Sequence, residues 1–225
     1  MEKLLLFDID GTLVAGANGP VEAFAVAFQE VYDLHASIYA INPHGKTDQE
    51  IIQAVLLGRG VPQAVIDKGM EACMEVMCSY FSEILPCVRT ELLPGVAATL
   101  AMLDTTDNLL GLVTGNLEPI AHGKLGNAGV DKHFKLGGFG SDNAERSQLV
   151  EIAKQKAARQ FGFVIADNVY LFGDTPQDIL AAVAGGAKAI GVTTGTYNNE
   201  ALYEAGADVV ISGLGSQDEV LSALS

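Results

Sequence analysis

The chain has 225 residues, 49% of them hydrophobic and 18% charged, which allows a sizeable buried core and argues against disorder. Its 13 basic and 28 acidic residues leave a formal net charge of −15, with no cluster of Lys or Arg. That balance argues against nucleic acid or an anionic membrane as a partner, so an anionic substrate would need a local site and a cation. No apolar run approaches membrane-spanning length, and Met1-Glu2-Lys3 leading into a strand lacks the shape of a signal peptide. Cys73, Cys78 and Cys87 lack metal-ligand spacing and are expected to be reduced, largely buried thiols of a cytoplasmic protein.

In chain order, Leu4-Leu5-Leu6-Phe7 is an unbroken apolar run, as expected of a strand buried on both faces of a parallel sheet. It runs into Asp8-Ile9-Asp10-Gly11-Thr12. Two residues apart, Asp8 and Asp10 would share a face of an extended chain, and the turn beginning at Gly11 lets both reach one small volume. Like charges that close call for a proton or a cation between them, and Mg²⁺ with oxygen ligands fits best.

Ala15 to Pro20 reads as a flexible connector of small residues. Three helices follow. The first runs from Val21 to Leu34, with Phe24, Phe28 and Val31 at helical spacing. The second opens at the capping box Thr47-Asp48-Gln49-Glu50 and ends near Gly58. The third runs from Pro62 to about Leu85, with Met70, Cys73, Met74, Met77 and Phe81 as its packing stripe. No strand signal falls between Gly16 and Glu91, so residues 16–90 are expected to form an all-helical insert.

From Gly95 helices and strands alternate: helix Val96–Leu103, strand Leu109–Val113, helix Glu118–Asn127, and a short strand around Phe134–Gly138. Helix Glu145–Phe161, strand Val169–Phe172, helix Gln177–Ala184 and strand Ala189–Val192 come next. An edge strand over Ala207–Ile211 and a helix over Gln217–Leu224 close the chain. This alternation predicts an α/β fold: a Rossmann-like parallel sheet built from residues 1–15 and 91–225, covered on both faces and carrying the helical insert 16–90 as a cap.

The DxDGT pattern of Asp8–Thr12 after an apolar strand resembles motif I of the haloacid dehalogenase-like (HAD) hydrolases. Thr114 in Leu112-Val113-Thr114-Gly115-Asn116 matches their motif II, and Gly173-Asp174-Thr175-Pro176-Gln177-Asp178 matches the GDxxxD of motif IV. Motif III is usually Lys; Arg146 stands at the matching position, and a surface Arg at a helix start is the alternative reading. Lys154 and Lys156 lie too far down that helix. The resemblance spans residue 4 to about 212. It implies a strand order 5-4-1-2-3, a C1-type cap, and a phosphatase similar to phosphoglycolate phosphatases. Asp8, Thr114 and Asp174 each follow an apolar strand, so all three fall on the C-terminal edge of the sheet, where open α/β sheets bind ligands.

By the same resemblance Asp8 is the phosphoryl-accepting nucleophile. The Mg²⁺ ligands are Asp8, the backbone carbonyl of Asp10 and Asp174, with Asp178 acting through water. Thr114 offers a hydroxyl, and the N–H groups near Gly115 and Asn116 open a helix suited to phosphate. Arg146 pairs with phosphate and Asp8. Asp10, as general acid and then base, favours phosphate esters over dehalogenation. In the insert, His44 and Lys46 are candidates to meet a substrate carboxylate or phosphate, the alternative being an exposed helix-capping loop. The expected partner is a small phosphorylated metabolite, and the chain a monomer or homodimer. A phosphomutase of the same fold is the alternative reading, followed by a non-catalytic binding module.

Overall fold

The computed structural model describes residues 2–15 and 19–225. Of the expected connector, residues 16–18 lie outside the described residues, and the remainder is ordered structure: Ala15 ends a strand, and Gly19 and Pro20 begin a helix. Pro at the second helical position sacrifices no hydrogen bond, because the first turn's N–H groups have no partner within the helix.

One six-stranded sheet carries the fold. Its strands are β1 (Leu4–Phe7), β4 (Leu109–Thr114), β5 (Gly137–Phe139), β6 (Val169–Gly173), β7 (Lys188–Val192) and β8 (Val209–Ile211). They run in the order β5-β4-β1-β6-β7-β8, every pair parallel, so β1 is central, flanked by β4 and β6. This is the implied order with one further edge strand. A separate antiparallel pair, β2 (Val14–Ala15) with β3 (Glu91–Leu92), closes the two chain crossings that bound the insert. Two-residue strands carry no periodicity, which is why the sequence does not announce them.

The alternation of β1 explains its unbroken apolar run. Leu5 and Phe7 enter one core with Leu110, Leu112, Tyr170 and Phe172, whereas Leu4 and Leu6 enter the other with Val113, Val169 and Leu171. Helices α4 (Val96–Asp104), α5 (Glu118–Asn127) and α9 (Gln217–Ala223) cover the first face through Val96, Leu100, Ala121, Leu125 and Val220. On the second face lie α6 (Arg146–Phe161), α7 (Pro176–Ala184) and α8 (Asn199–Glu204), through Leu149, Val150, Ala153, Ile179 and Leu202. Each large aliphatic or aromatic side chain removed from water in this way contributes about 1.5–3 kcal/mol. Phe7 and Phe172 stack at 4.8 Å across β1 and β6, just before Asp8 and Asp174, and stiffen the strand ends that present these carboxylates.

Helices α1 (Gly19–Tyr32), α2 (Asp48–Gly58) and α3 (Gln63–Ile84) share a third core around Phe24, Phe28, Ile52, Leu56, Cys73, Met77 and Phe81. Leu117 and Ile120, at the start of α5, extend it onto the sheet domain. The methionine stripe of α3 is packing, with Met77 fully buried and Met70 and Met74 against the same core. All three cysteines are free, and only Cys73 is fully buried; Cys87 is exposed.

The structure departs from expectation at one strand and one helix in particular. The strand expected over Phe134–Gly138 begins at Gly137; Lys135 and Leu136 already bond Leu110 and Leu112, while Phe134 ends a turn and packs its ring edge-on against Phe7. Helix α8 was not anticipated, although Asn198 caps it by accepting from the N–H of Ala201 at 3.0 Å.

Candidate active site

The C-terminal ends of β1, β4 and β6 meet the insert around a cavity of about 480 Å³. Asp8, Asp10, Thr114, Asn116, Lys124, Arg146 and Asp174 form its floor, and Phe24, Ile38, His44 and Lys46 line its insert side. Every residue that the sequence placed at the site therefore borders the cavity except Asp178, which is completely buried beneath it.

Local sequence explains how the carboxylates come together. Asp8 continues β1, its N–H donating to the carbonyl of Phe172 at 2.9 Å. Gly11 has φ +86°, and a Cβ there would collide with the Asp174 carboxylate, so only glycine turns the chain so close to it. Thr12 Oγ1 donates to Asp174 Oδ1 at 3.2 Å, tying motif I to the end of β6. Thr175 and Asp178 form the capping box of α7: Asp178 Oδ2 accepts from the Thr175 N–H at 3.0 Å and from its hydroxyl at 2.7 Å. A side chain at Gly173 would strike that folded-back Asp178, which accounts for the glycine of the GDxxxD pattern.

Asp8, Asp174 and Asp178 bring one oxygen each within 4.8 Å of one another. Arg146 answers two of them. Its Nη2 donates to Asp8 Oδ1 at 2.6 Å and to Asp178 Oδ1 at 2.5 Å, and its Nε donates to Asp178 Oδ1 at 3.0 Å. The guanidinium is 8% exposed, so the reading of Arg146 as a surface residue does not hold. Burial works against its charge, but Asp178 and Asp8 more than offset this and hold its pKa above the ordinary value. Both Asp178 oxygens are engaged by Arg146 and Thr175, so Asp178 anchors the arginine. Lys154 and Lys156 are turned away, onto the carbonyls of Gly185 and Gly137.

Burial, reinforced by the neighbouring Asp178, raises the pKa of Asp8 well above the ordinary range despite Arg146. The same causes push Asp174 up to about 7. Crowding adds to burial in both: among the described residues, Asp8, Asp10, Asp174 and Asp178 form ion pairs with Arg146 and Lys124 alone. Among the described residues no hydrogen bond reaches Oδ2 of Asp8. A buried carboxylate pair with an open oxygen suits a small divalent cation such as Mg²⁺.

Asp10 is turned the other way, into a grip formed by residues of the motif II loop and α5. Lys124 Nζ donates to Asp10 Oδ1 at 2.9 Å and to Oδ2 at 2.7 Å, and Asn116 Nδ2 donates to Oδ2 at 2.7 Å. Burial raises the Asp10 pKa, but the Lys124 charge and these bonds outweigh it and leave it below the ordinary value. Sequence reading did not single out Lys124. The available signal was a lone Lys on the same helix as the buried Ile120 and Leu125, with no acidic residue three or four positions away.

Of the N–H groups at the start of α5, those of Asn116, Leu117 and Glu118 have acceptors within the protein. The Asn116 N–H donates to Thr114 Oγ1 at 3.3 Å, the Leu117 N–H to Asp48 Oδ2 at 2.9 Å, and the Glu118 N–H to Ser141 Oγ at 3.2 Å. Asp48, the first residue of α2, thus caps the N–H next to those of Gly115 and Asn116. The Thr114 hydroxyl accepts from Asn116 and keeps its own proton free to donate.

Asp48 belongs to a short segment that fastens the insert to the sheet. Its N–H donates to the Gly115 carbonyl at 2.8 Å, Thr47 Oγ1 donates to the Ala144 carbonyl at 2.7 Å, and Gln49 Nε2 donates to the Gly140 carbonyl at 2.6 Å. Gly115 is in close contact with the Lys46 backbone. The stretch from His44 to Asp48 is therefore docked rather than hanging free: Thr47 and Asp48 are buried, while His44 is exposed and Lys46 half-buried.

A family model described as haloacid dehalogenase-like hydrolase matches residues 2–186. A probable phosphatase, IndB, of Dickeya dadantii is 28% identical over 94% of this chain and 90% of its own length. A phosphoglycolate phosphatase of Colwellia psychrerythraea is 28% identical over 88% of this chain and 86% of its own. Among solved structures, a hydrolase from Pseudomonas syringae superposes with a TM-score of 0.74 at 21% identity, covering 99% of both chains, and shares the fold.

Proposed function

The chain belongs to the haloacid dehalogenase-like hydrolases, and we propose that it is a Mg²⁺-dependent phosphatase hydrolysing a small phosphorylated metabolite through an aspartyl phosphate on Asp8. The observation that carries this reading is the division of labour between the first two aspartates. Asp8 keeps one oxygen open beside Asp174 while Arg146 holds the other, and Asp10 is held apart on Lys124 and Asn116. The phosphatase and phosphoglycolate phosphatase names of relatives support the reaction class, and phosphoglycolate is the first substrate to test.

In the first half-reaction an Asp8 oxygen bonds to phosphorus as the bond to the leaving oxygen breaks, and the Asp10 carboxyl gives its proton to that oxygen. The approach of the phosphate brings negative charge toward Asp10 and favours its protonated form at that moment. In the second half, water attacks phosphorus, its proton passes to Asp10, and the Asp8–phosphorus bond breaks to release inorganic phosphate. Arg146 holds Asp8 in line and offers positive charge to the equatorial oxygens; Thr114 donates to one of them. Asp8 and Asp174, with the Asp10 carbonyl that the family resemblance implies, would hold Mg²⁺, and Asp178 would fix Arg146 and reach the ion through water. When bound, the cation would offset the repulsion between the Asp8 carboxylate and the phosphate.

Residues 16–90 serve in this proposal as a cap over the reacting groups, with His44 and Lys46 facing the leaving group. The reading includes residence in the cytoplasm, with which the three free cysteines agree. Among the described residues no helix is long and apolar enough to cross a membrane.

The test is release of inorganic phosphate from a panel of phosphorylated metabolites, phosphoglycolate included, with Mg²⁺ and with excess chelator. Turnover confined to the Mg²⁺ arm is expected, and Ca²⁺ should inhibit because its larger, looser shell disfavours in-line attack. Full activity in chelator would overturn the metal assignment. Isomerised sugar phosphate without phosphate release would indicate a phosphomutase instead.

A further inference from the structure

We propose that Lys124 is a positioning residue, acting through Asp10, which it holds in the orientation needed for proton transfer to the leaving oxygen. The inference rests on the phosphatase reading above but concerns a residue outside the four sequence motifs.

Lys124 lies within α5, with a side chain 3% exposed. An ammonium carries three protons, and all three are spent here: on Asp10 Oδ1 at 2.9 Å, Asp10 Oδ2 at 2.7 Å and Asn116 Oδ1 at 2.8 Å. Burying a lysine charge is costly unless its partners satisfy it fully, and this arrangement does so. Asn116 completes a closed triangle, since its Nδ2 donates to Asp10 Oδ2 at 2.7 Å and to Thr114 Oγ1 at 2.9 Å.

The geometry matters more than the charge. A single bond to a carboxylate leaves its plane free to rotate about Cβ–Cγ. Two bonds from one Nζ, one to each oxygen, together with a third donor from Asn116, fix that plane. The Asp10 side chain nevertheless remains 37% exposed, toward the cavity it lines. Lys124 thus closes one side of the carboxylate and leaves the other to face the leaving oxygen. It also keeps Asp10 out of the cluster of Asp8, Asp174 and Asp178. Proton transfer needs heavy atoms at hydrogen-bond distance, and misplacement by about 1 Å costs on the order of 10²-fold in rate.

The consequence depends on the leaving group. An alkoxide needs its proton as it departs, whereas nitrophenolate departs readily without one. Since kcat/KM reports steps up to departure of the leaving group, Lys124→Met should lower it at least about tenfold more on glycerol phosphate than on p-nitrophenyl phosphate. The same comparison is made in the Asp10→Asn background, where Lys124→Met should cost little further on either substrate. That double variant removes both charges of the pair, so it remains informative if Lys124→Met alone unfolds. Equal losses on the two substrates, or a full further loss in the Asp10→Asn background, would overturn the role of Lys124 and leave the phosphatase reading intact. A wild-type protein that releases no phosphate from either substrate in Mg²⁺ would overturn both.

Discussion

Arg146 Nη2 stands 2.6 Å from Asp8 Oδ1, although the two residues are 138 positions apart, and the same nitrogen reaches Asp178. One guanidinium at the start of α6 thereby joins the end of β1 to the first turn of α7. A lysine ammonium offers a compact point charge, while the planar fork of arginine reaches two carboxylates at once, and here it does so without leaving the buried layer.

Replacing Arg146 should therefore cost stability as well as activity. Arg146→Met leaves Asp178 buried and unpaired and is expected to destabilise the fold by about 3–5 kcal/mol. Arg146→Lys should recover part of that loss. Urea unfolding of the three proteins measures it, and a Met variant as stable as wild type would show that the pair is not needed for folding.

Asp8→Asn is nearly isosteric and removes charge from a cluster with too much of it. Turnover should fall by about 10³-fold or more, because the amide is a poor nucleophile. The thermal midpoint should stay level or rise. Turnover within tenfold of wild type would rule Asp8 out as nucleophile.

Asp48 gives a pH signature. Burial pushes its pKa up to about 7, against the bond from Leu117 and the Lys124 charge, which lower it. A carboxyl with a raised folded-state pKa contributes its stability in full below the unfolded value near 4. That contribution is lost as pH rises to about 7, up to about 4 kcal/mol in all. Asp48→Asn keeps an oxygen for the Leu117 N–H without the charge. It should match wild type near pH 4 and exceed it at pH 8 in denaturant unfolding. Parallel pH curves for the two proteins would mean that Asp48 is not the group responsible.

Lys46→Ala combined with His44→Ala should raise KM for the natural substrate much more than for a small aryl phosphate. Both residues line the insert side of the cavity, remote from Asp8 chemistry. Steady-state kinetics on both substrates decides it. Equal losses would assign the loop to docking of the insert, the role already evident for its neighbours Thr47 and Asp48.

What the sequence determined by itself is whatever is written locally. The apolar run before Asp8, the capping box at Thr47, and the alternation of helix and strand after Gly95 each depend on residues a few positions apart. Strand ends place Asp8, Thr114 and Asp174 on one edge, because parallel strands all finish on the same side of a sheet. What only the tertiary structure decided is which charges meet. Lys124 finds Asp10 across 114 positions, and Asp48 takes the N–H at the start of α5 across 69. Neither pairing has a periodicity or a spacing, because buried ions are matched by the packing of separate elements. For the same physical reason the sequence could not show that the Leu117 N–H, just beyond Gly115 and Asn116, is taken: an N–H pointing into a buried interface takes the nearest acceptor, and the insert brings Asp48 there.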